Sequence, residues 1–445
     1  MSTSDRQSVF TLKELELINQ KHRDGDKSAM KFIIIDRKVY DVTEFLEDHG
    51  GAQVLLTHVG KDASDVFHAM HESAYEILNN YFVGDVKDAH VKETSAQFAS
   101  EMRQLRDQLK KEGYFHSSKA YYVYKVLSTL ALCAAGLTLL YAYGHTSTLA
   151  VVASAIIVGI FWQQCGWLAH DFGHHQCFED RSWNDVLVVF LGNFCQGFSL
   201  SWWKNKHNTH HASTNVHGHD DIDTAVLLWD EYASAAYYAS LDEETMISRF
   251  LAESVLHQTR YYFFVLGFAR LSWAIQSLLY SFKQGAINKS HQLNLFERFC
   301  LVSHWTLFTY CTLAWCSNVY HMILFFLVSQ ATTGYTLALV FALNHNGMVI
   351  TEEKAESMEF FEIQVITGRD VTLSLGDWFM GGLNYQIEHH VFNMRHNLKV
   401  KMVKSLCKKY DINYHDTGFL KGTLEVLKTL DITSKLSLQL SKKSF

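Results

Sequence analysis

The sequence contains no proline in 445 residues. Average usage of about 5% predicts roughly 22 prolines in this length, so the absence is not a chance outcome. It excludes ring-fixed backbone angles, proline kinks and proline-rich linkers. The eight cysteines are scattered, and none forms a CxxC pair, which excludes a zinc ribbon or a redox dithiol. Several lie in apolar stretches, as free thiols in a reduced compartment do. No run of like charge is long enough for a nucleic-acid arm, and net charge is −7, so nucleic acid is not an expected partner. No G-x-G-x-x-G fingerprint occurs, so the chain is not expected to bind NADH itself. The first 30 residues lack an apolar core, and no cleavable signal peptide is expected.

What is present is histidine, 25 of them, and long apolar runs. Tyr121–Tyr143, Thr148–Leu168, Phe299–Cys316 and Val319–Leu343 are each read as bilayer spans, about 30 Å at 1.5 Å per residue. The short turns joining them in pairs carry no Lys or Arg. The positive-inside rule therefore places those turns on the far side and both termini in the cytosol. Val186–Trp203 and Tyr261–Phe282 are also apolar but carry Gln, Lys or Arg within or nearby. They are read as interfacial or partly inserted helices, because four spans leave every histidine cluster on one side.

Three clusters stand out: HDFGHH with His170, His174 and His175; HNTHH with His207, His210 and His211; and QIEHH with Gln386, His389 and His390. His345 follows the fourth apolar run. Residues i and i+4, such as His170 and His174, share a helical face. Adjacent ones such as His210 and His211 point about 100° apart and can serve two metals. One HxxHH alone is as readily a solvated pair. Three boxes, each on the cytosolic side of an apolar segment, point to ligation. Nine histidines overfill one zinc site of three or four ligands and suit two redox metals, with iron favoured for oxygen chemistry.

HDFGHH, WWKNKHNTHH (202–211) and GGLNYQIEHH (381–390) resemble the three boxes of membrane fatty acid desaturases. Gln386 in place of the first histidine of the third box resembles the front-end subgroup, closest to fungal Δ6 enzymes. VYDVTEFLEDHGG (39–51) and GKDASDVFHAMH (60–71) resemble the haem-binding core of cytochrome b5. In that resemblance His49 is the first axial ligand and His71 the second, with His68 as nearby competitor. Ten acidic residues and two lysines between 41 and 88 suit docking of a basic reductase.

The resemblance implies an N-terminal α+β cytochrome b5-like domain (8–92), a linking amphipathic helix (93–117) and an all-α multi-pass membrane desaturase domain (118–430). About four transmembrane helices, interfacial helices and a cytosolic cap are expected. It implies two non-haem irons held by His170, His174, His175, His207, His210, His211, His345, His389 and His390, with Gln386 supporting. It further implies haem b, O2 as co-substrate, and electrons from NADH through a separate cytochrome b5 reductase. The implied activity is Δ6 desaturation of linoleoyl or α-linolenoyl chains, on phospholipid or CoA, in the endoplasmic reticulum membrane. Sphingolipid Δ8 or acyl Δ5/Δ8 desaturases share the layout. A haem-bearing membrane electron carrier without desaturase activity is the rival from another class.

The same motifs locate the missing prolines. HGG stands where H-P-G-G is expected, and HGHDDIDT (217–224), GMVI (347–350) and VFNMRHN (391–397) are shortened with their flanks intact. The pattern is single-residue omission rather than substitution, and the natural chain is expected to carry prolines there.

Overall fold

The computed structural model describes residues 8–23, 25–26, 29–49, 52–71, 75–87, 93–217, 219–220, 227–240, 245–350, 359–392 and 400–444. Gly50 and Gly51 of the HGG motif, 221–224 of HGHDDIDT and 393–397 of VFNMRHN lie outside the described residues.

The N-terminal part places β1 (Ser8–Phe10), α1 (Leu12–Arg23), β2 (Phe32–Ile35) and β3 (Lys38–Asp41) before α2 (Ala52–Thr57), α3 (Ser64–Met70), α4 (Tyr75–Leu78) and β4 (Phe82–Val86). The four strands form one sheet in the order β1-β4-β3-β2. Alternation along β2 feeds two cores, as a period of two requires. Phe32 and Ile34 pack with Leu15 of α1, while Ile33 and Ile35 pack with Ala63, Val66 and Phe67. The β2–β3 hairpin turns on Asp36 and Arg37, both with positive φ (51° and 64°), a geometry whose twist matches the strands. That turn aims the Asp36 carboxylate at His68 Nε2, 3.0 Å away.

The rest is almost wholly helical. It runs through α5 (Glu93–Lys111), α6 (Lys119–Tyr143), α7 (Thr148–Gly173), α8 (Arg181–Val188), a π-helical stretch (Val189–Gln196) and α9 (Leu200–Ala212). Then follow α10 (Glu231–Ser240), α11 (Met246–Val255), α12 (Gln258–Lys283), α13 (His291–Trp315) and α14 (Val319–His345). The end comprises α15 (Phe360–Ile366), β5 (Asp370–Thr372), α16 (Gly376–Phe379), α17 (Gln386–Phe392), α18 (Val400–Lys409), β6 (Asp416–Gly418) and α19 (Phe419–Ser444). Polar caps start the long helices: Ser147 accepts from the Ala150 amide and Asn318 from that of His321, satisfying donors that a helix start leaves open.

α6 and α7 form one hairpin and α13 and α14 another. Small residues let the helices approach closely, as packing in lipid favours. A Cβ on Gly159 would lie 2.6 Å from Thr332, and one on Gly334 would lie 2.6 Å from the Gly267 carbonyl. Four helices among the described residues are long and apolar enough to cross a membrane: α6, α7, α12 and α14. The number matches the sequence reading, but the membership does not. Tyr261–Phe282, expected to lie at the interface, falls in the apolar α12. Phe299–Cys316, expected to span, is the 25-residue α13, which misses that standard because His304, Trp305 and three threonines dilute its apolar face. α13 still presents Phe299, Val302 and Leu313 outward.

α8 with the π-stretch and α9 form a pair bent by 109°. The bend sits at Gly197, whose φ is +86° and whose Cβ would lie 2.5 Å from His304; only glycine fits there without strain. The buried Glu297 pins it, accepting from Asn193 Nδ2 (3.1 Å), Ser199 Oγ (2.7 Å) and the Ser201 amide (3.2 Å). Arg270 of α12 stacks 3.7 Å over Trp162 and donates to the Gln196 carbonyl at 2.6 Å.

The helical cap above the spans is anchored by α5. Phe98, Ala99, Met102 and Leu109 are fully buried against α15, α17 and α18, as the amphipathic spacing of that helix predicts. α5 also carries Arg103, which forms a two-point pair with Asp65 of α3 at 2.7 Å in both contacts. Ala212 of α9 and Phe360 of α15 pack into the core of the N-terminal domain.

Candidate metal centre and haem cleft

The histidine boxes sit at the ends of the long helices. His170 lies on the last turn of α7, with His174 as its C-cap; His210 and His211 close α9; His345 closes α14; His389 and His390 lie on the short α17. Two groups result. His170, His174, His207, His211 and His389 form one, and His210, His345 and His390 the other, with all ligand atoms of a group within 4.8 Å of one another. Eight of the nine expected ligands are therefore brought together.

Their Nε2 atoms converge. His170 and His389 are 3.1 Å apart, His174 and His207 2.9 Å, His207 and His211 3.0 Å, and His210 and His345 3.2 Å. Nitrogens bound to one metal at about 2.0–2.1 Å lie about 3 Å from each other. His390 Nε2 is buried with no hydrogen-bond partner among the described residues, a cost that a bound cation removes. The outer Nδ1 atoms are held. His390 Nδ1–H faces Gln364 Oε1 at 2.7 Å, His210 Nδ1–H faces Asp220 Oδ2 at 2.8 Å, and His345 Nδ1–H faces the Thr367 carbonyl at 3.0 Å. Such bonds fix the tautomer and leave the Nε2 lone pair pointing inward.

His175 belongs to neither group. α7 stops at Gly173 and His175 takes φ +56°, which turns its ring away. Its Nε2 lies 3.0 Å from Asp185 Oδ1 and 3.0 Å from Lys204 Nζ. Gln386 touches the second group: its Nε2 is 2.7 Å from His345 Nε2, and its Oε1 accepts from Asn344 Nδ2 at 2.8 Å. Sequence reasoning missed Gln364, Asp220, Asn344 and a carboxyl pair beneath the third box. There the Tyr414 hydroxyl lies 2.6 Å from Asp370 and 2.8 Å from Glu388. Burial and the neighbouring Asp370 carboxyl push Glu388 up, and burial likewise raises Asp370, so the pair favours holding a proton.

The metal groups form a wall between two hollows. On one side is a cavity of about 1130 Å³, bordered by His170, His207, His210 and His345 and lined with Trp167, Trp202, Trp229, Tyr262 and Phe341. On the other is a cleft that reaches His174, His211 and His390 and also holds His49 and His71. The His49 and His71 rings stand edge to face with centroids 5.9 Å apart, a separation suited to one six-coordinate iron. Burial lowers His71 to about 4, leaving its imidazole neutral and ready to ligate. His68 is directed elsewhere, to Asp36 and Tyr75. Two half-buried histidines across a cleft with one apolar wall fit a haem.

A sequence model of the family described as fatty acid desaturase matches residues 146–418, more than half of the chain.

The chain belongs to the fatty acid desaturase family.

Residues 13–87 of this desaturase match the cytochrome b5-like haem/steroid binding domain. The desaturase is 36% identical to the acyl-lipid (9-3)-desaturase of Physcomitrium patens over 96% of this chain and 79% of that one. It is 32% identical to the Delta(6)-fatty-acid desaturase of Caenorhabditis elegans, covering 92% and 97%. It is 31% identical to the Delta(8)-fatty-acid desaturase of Euglena gracilis, again covering 92% and 97%. The chain is thus a front-end desaturase with a fused cytochrome b5 domain. Near-equal identity to relatives named for different positions does not choose the double bond.

Proposed function

We propose that this desaturase converts linoleoyl and α-linolenoyl chains to their Δ6-unsaturated products. The reaction takes one O2, two electrons and two protons, turns a CH2–CH2 into a cis double bond and releases two waters. The observation that carries this reading is the wall of histidines between an apolar cavity and the His49–His71 cleft. It gives a flexible hydrocarbon one face of the metal site and the electron source the other. Two non-haem irons bound by the two groups would supply oxygen activation.

The chain's own contribution is placement. Trp167, Trp202 and Phe341 exclude water and hold the acyl chain by apolar contact along the cavity. Asp220, Gln364 and the Thr367 carbonyl hold Nδ1 protons outward. Gln386 borders His345 on the cavity side, with Asn344 orienting its amide. Electrons reach His49 and His71 from NADH through a separate reductase that docks on the acidic N-terminal domain. The membrane is that of the endoplasmic reticulum, with the histidines and both termini cytosolic. The third-box glutamine supports a front-end enzyme, and the Caenorhabditis relative named for Δ6 supports the position.

Fatty-acid profiling of yeast that expresses the chain and is fed linoleate tests the assignment. γ-Linolenate is the expected product. Activity confined to Δ5 or Δ8 acyl products, or to Δ8 sphingoid bases, overturns it.

A further inference from the structure

The cleft that holds His49 and His71 has two walls of opposite chemistry. The wall from the cytochrome b5 domain is apolar, built from Ile33, Ile35, Val54, Val66 and Phe67. The facing wall comes from the desaturase domain and presents Arg181, Lys204, His175 and Asn208 before it reaches the metal-group histidines. Haem b is amphiphilic, with an apolar macrocycle edge and one edge bearing two carboxylates. Between His49 and His71 the apolar edge belongs in the apolar wall, because a buried unpaired carboxylate is costly. The carboxylate edge then faces the desaturase wall.

That wall is cationic. Lys204 is buried and already paired, 2.5 Å from Asp185 and 3.0 Å from His175 Nε2. Arg181 is different. It has no carboxylate partner among the described residues. Its one hydrogen bond there runs from Nη2 to the Met70 carbonyl at 3.3 Å, and Met70 immediately precedes His71. A guanidinium has five N–H donors in a planar fork that matches a carboxylate, so most of its donors remain available at the cleft. It sits at the first turn of α8, capped by Asp180, which accepts from the Ser182 amide at 2.8 Å, so its backbone is fixed independently of its side chain.

We propose that Arg181, with Lys204 behind it, binds the haem carboxylates from the desaturase side, so that the catalytic domain completes the haem site. The proposal rests on the haem reading of His49 and His71. Its consequence is that haem itself ties the two domains together, alongside the Asp65–Arg103 pair, and that the carboxylate edge is the one facing the metal groups.

The test uses full-length protein reconstituted either with haem b or with its dimethyl ester, which lacks the two charges. Haem transfer to an apo-globin scavenger and the haem midpoint potential are measured for the parent and for Arg181→Gln. With haem b, Arg181→Gln is expected to release haem about tenfold faster, the loss of a charge-assisted pair. It is also expected to lower the potential, because the cation favours the reduced, less positive iron. A tenfold change in relative affinity for the two oxidation states is about 59 mV for one electron. With the dimethyl ester, parent and variant are expected to coincide. Identical behaviour with haem b overturns the proposal. So does a difference that persists undiminished with the ester, which would make Arg181 a general field effect. Loss of the b-type spectrum in His49→Ala tests the haem reading separately; a parent chain that takes up no haem would remove both.

Discussion

Replacing Gln364 with Leu is expected to disable the metal site without touching a ligand. Gln364 is 1% exposed and bonds through both ends of its amide. Its Oε1 accepts from His390 Nδ1 at 2.7 Å and from Thr214 Oγ1 at 2.9 Å, and its Nε2 donates to the His211 carbonyl at 3.1 Å. Leucine preserves volume and removes all three bonds. Thr214 keeps its bond to the His210 carbonyl at 2.7 Å and lies 3.1 Å from His390 Nδ1. The His211 carbonyl loses a donor and His390 loses its main partner. Each buried polar group left unpaired costs about 1–3 kcal/mol, so about 2–6 kcal/mol is at stake, against a typical domain stability of about 5–15 kcal/mol. The protein should fold less stably yet still bind haem. Loss of such an outer partner of a ligating histidine typically lowers metal affinity or activity by about 10–100-fold. Gln364→Glu keeps an acceptor for His390 and should retain more activity than Gln364→Leu. The assay is desaturated product per haem together with non-haem iron per chain. Parental product and iron in Gln364→Leu would refute the argument that held tautomers set the site.

Four further outcomes are expected. His175→Ala should leave non-haem iron unchanged, because its ring lies with Asp185 and Lys204, whereas His174→Ala should lose iron; metal analysis of both variants checks this. His71→Ala should lose the b-type absorption spectrum and His68→Ala should keep it, since only His71 faces His49. Burial lowers His58 to about 4 from 6.5, so the unfolded chain binds the extra proton between those values. The cytochrome b5 domain should therefore lose up to about 3 kcal/mol as pH falls from 6.5 to 4, and His58→Phe should flatten that slope in haem-monitored unfolding. The natural chain should have an intact mass above 51.1 kDa by the prolines its motifs call for, and agreement with that figure would remove the omission argument.

Local chemistry was legible in the sequence. Histidines at i, i+3 and i+4 revealed the boxes because a helix alone fixes their common face, and His345 stood out by following an apolar run. What holds them was not legible. Thr214 and Gln364 meet across 150 positions, and Asn344 reaches Gln386 across 42; tertiary folding makes both neighbours. His175 misled because nothing in HDFGHH announces that the helix ends at Gly173. α12 and α13 misled in opposite directions. Polar residues such as Arg270 made α12 read as interfacial, although Arg270 is fully buried among Trp162, Gln196 and Gln330. The amphipathic helix after the first domain was legible as a link, but its four fully buried residues anchoring the cap were not.

The central claim is that two histidine groups, separate from the haem ligands, each hold an iron. Iron and haem stoichiometry of the purified full-length protein tests it most directly. Three irons per chain are expected, one extractable as haem b and two not, with the iron of the His210–His345–His390 group lost in His210→Ala while the haem spectrum stays intact. One non-haem iron or none in an active preparation, or an unchanged pair in His210→Ala, would contradict it.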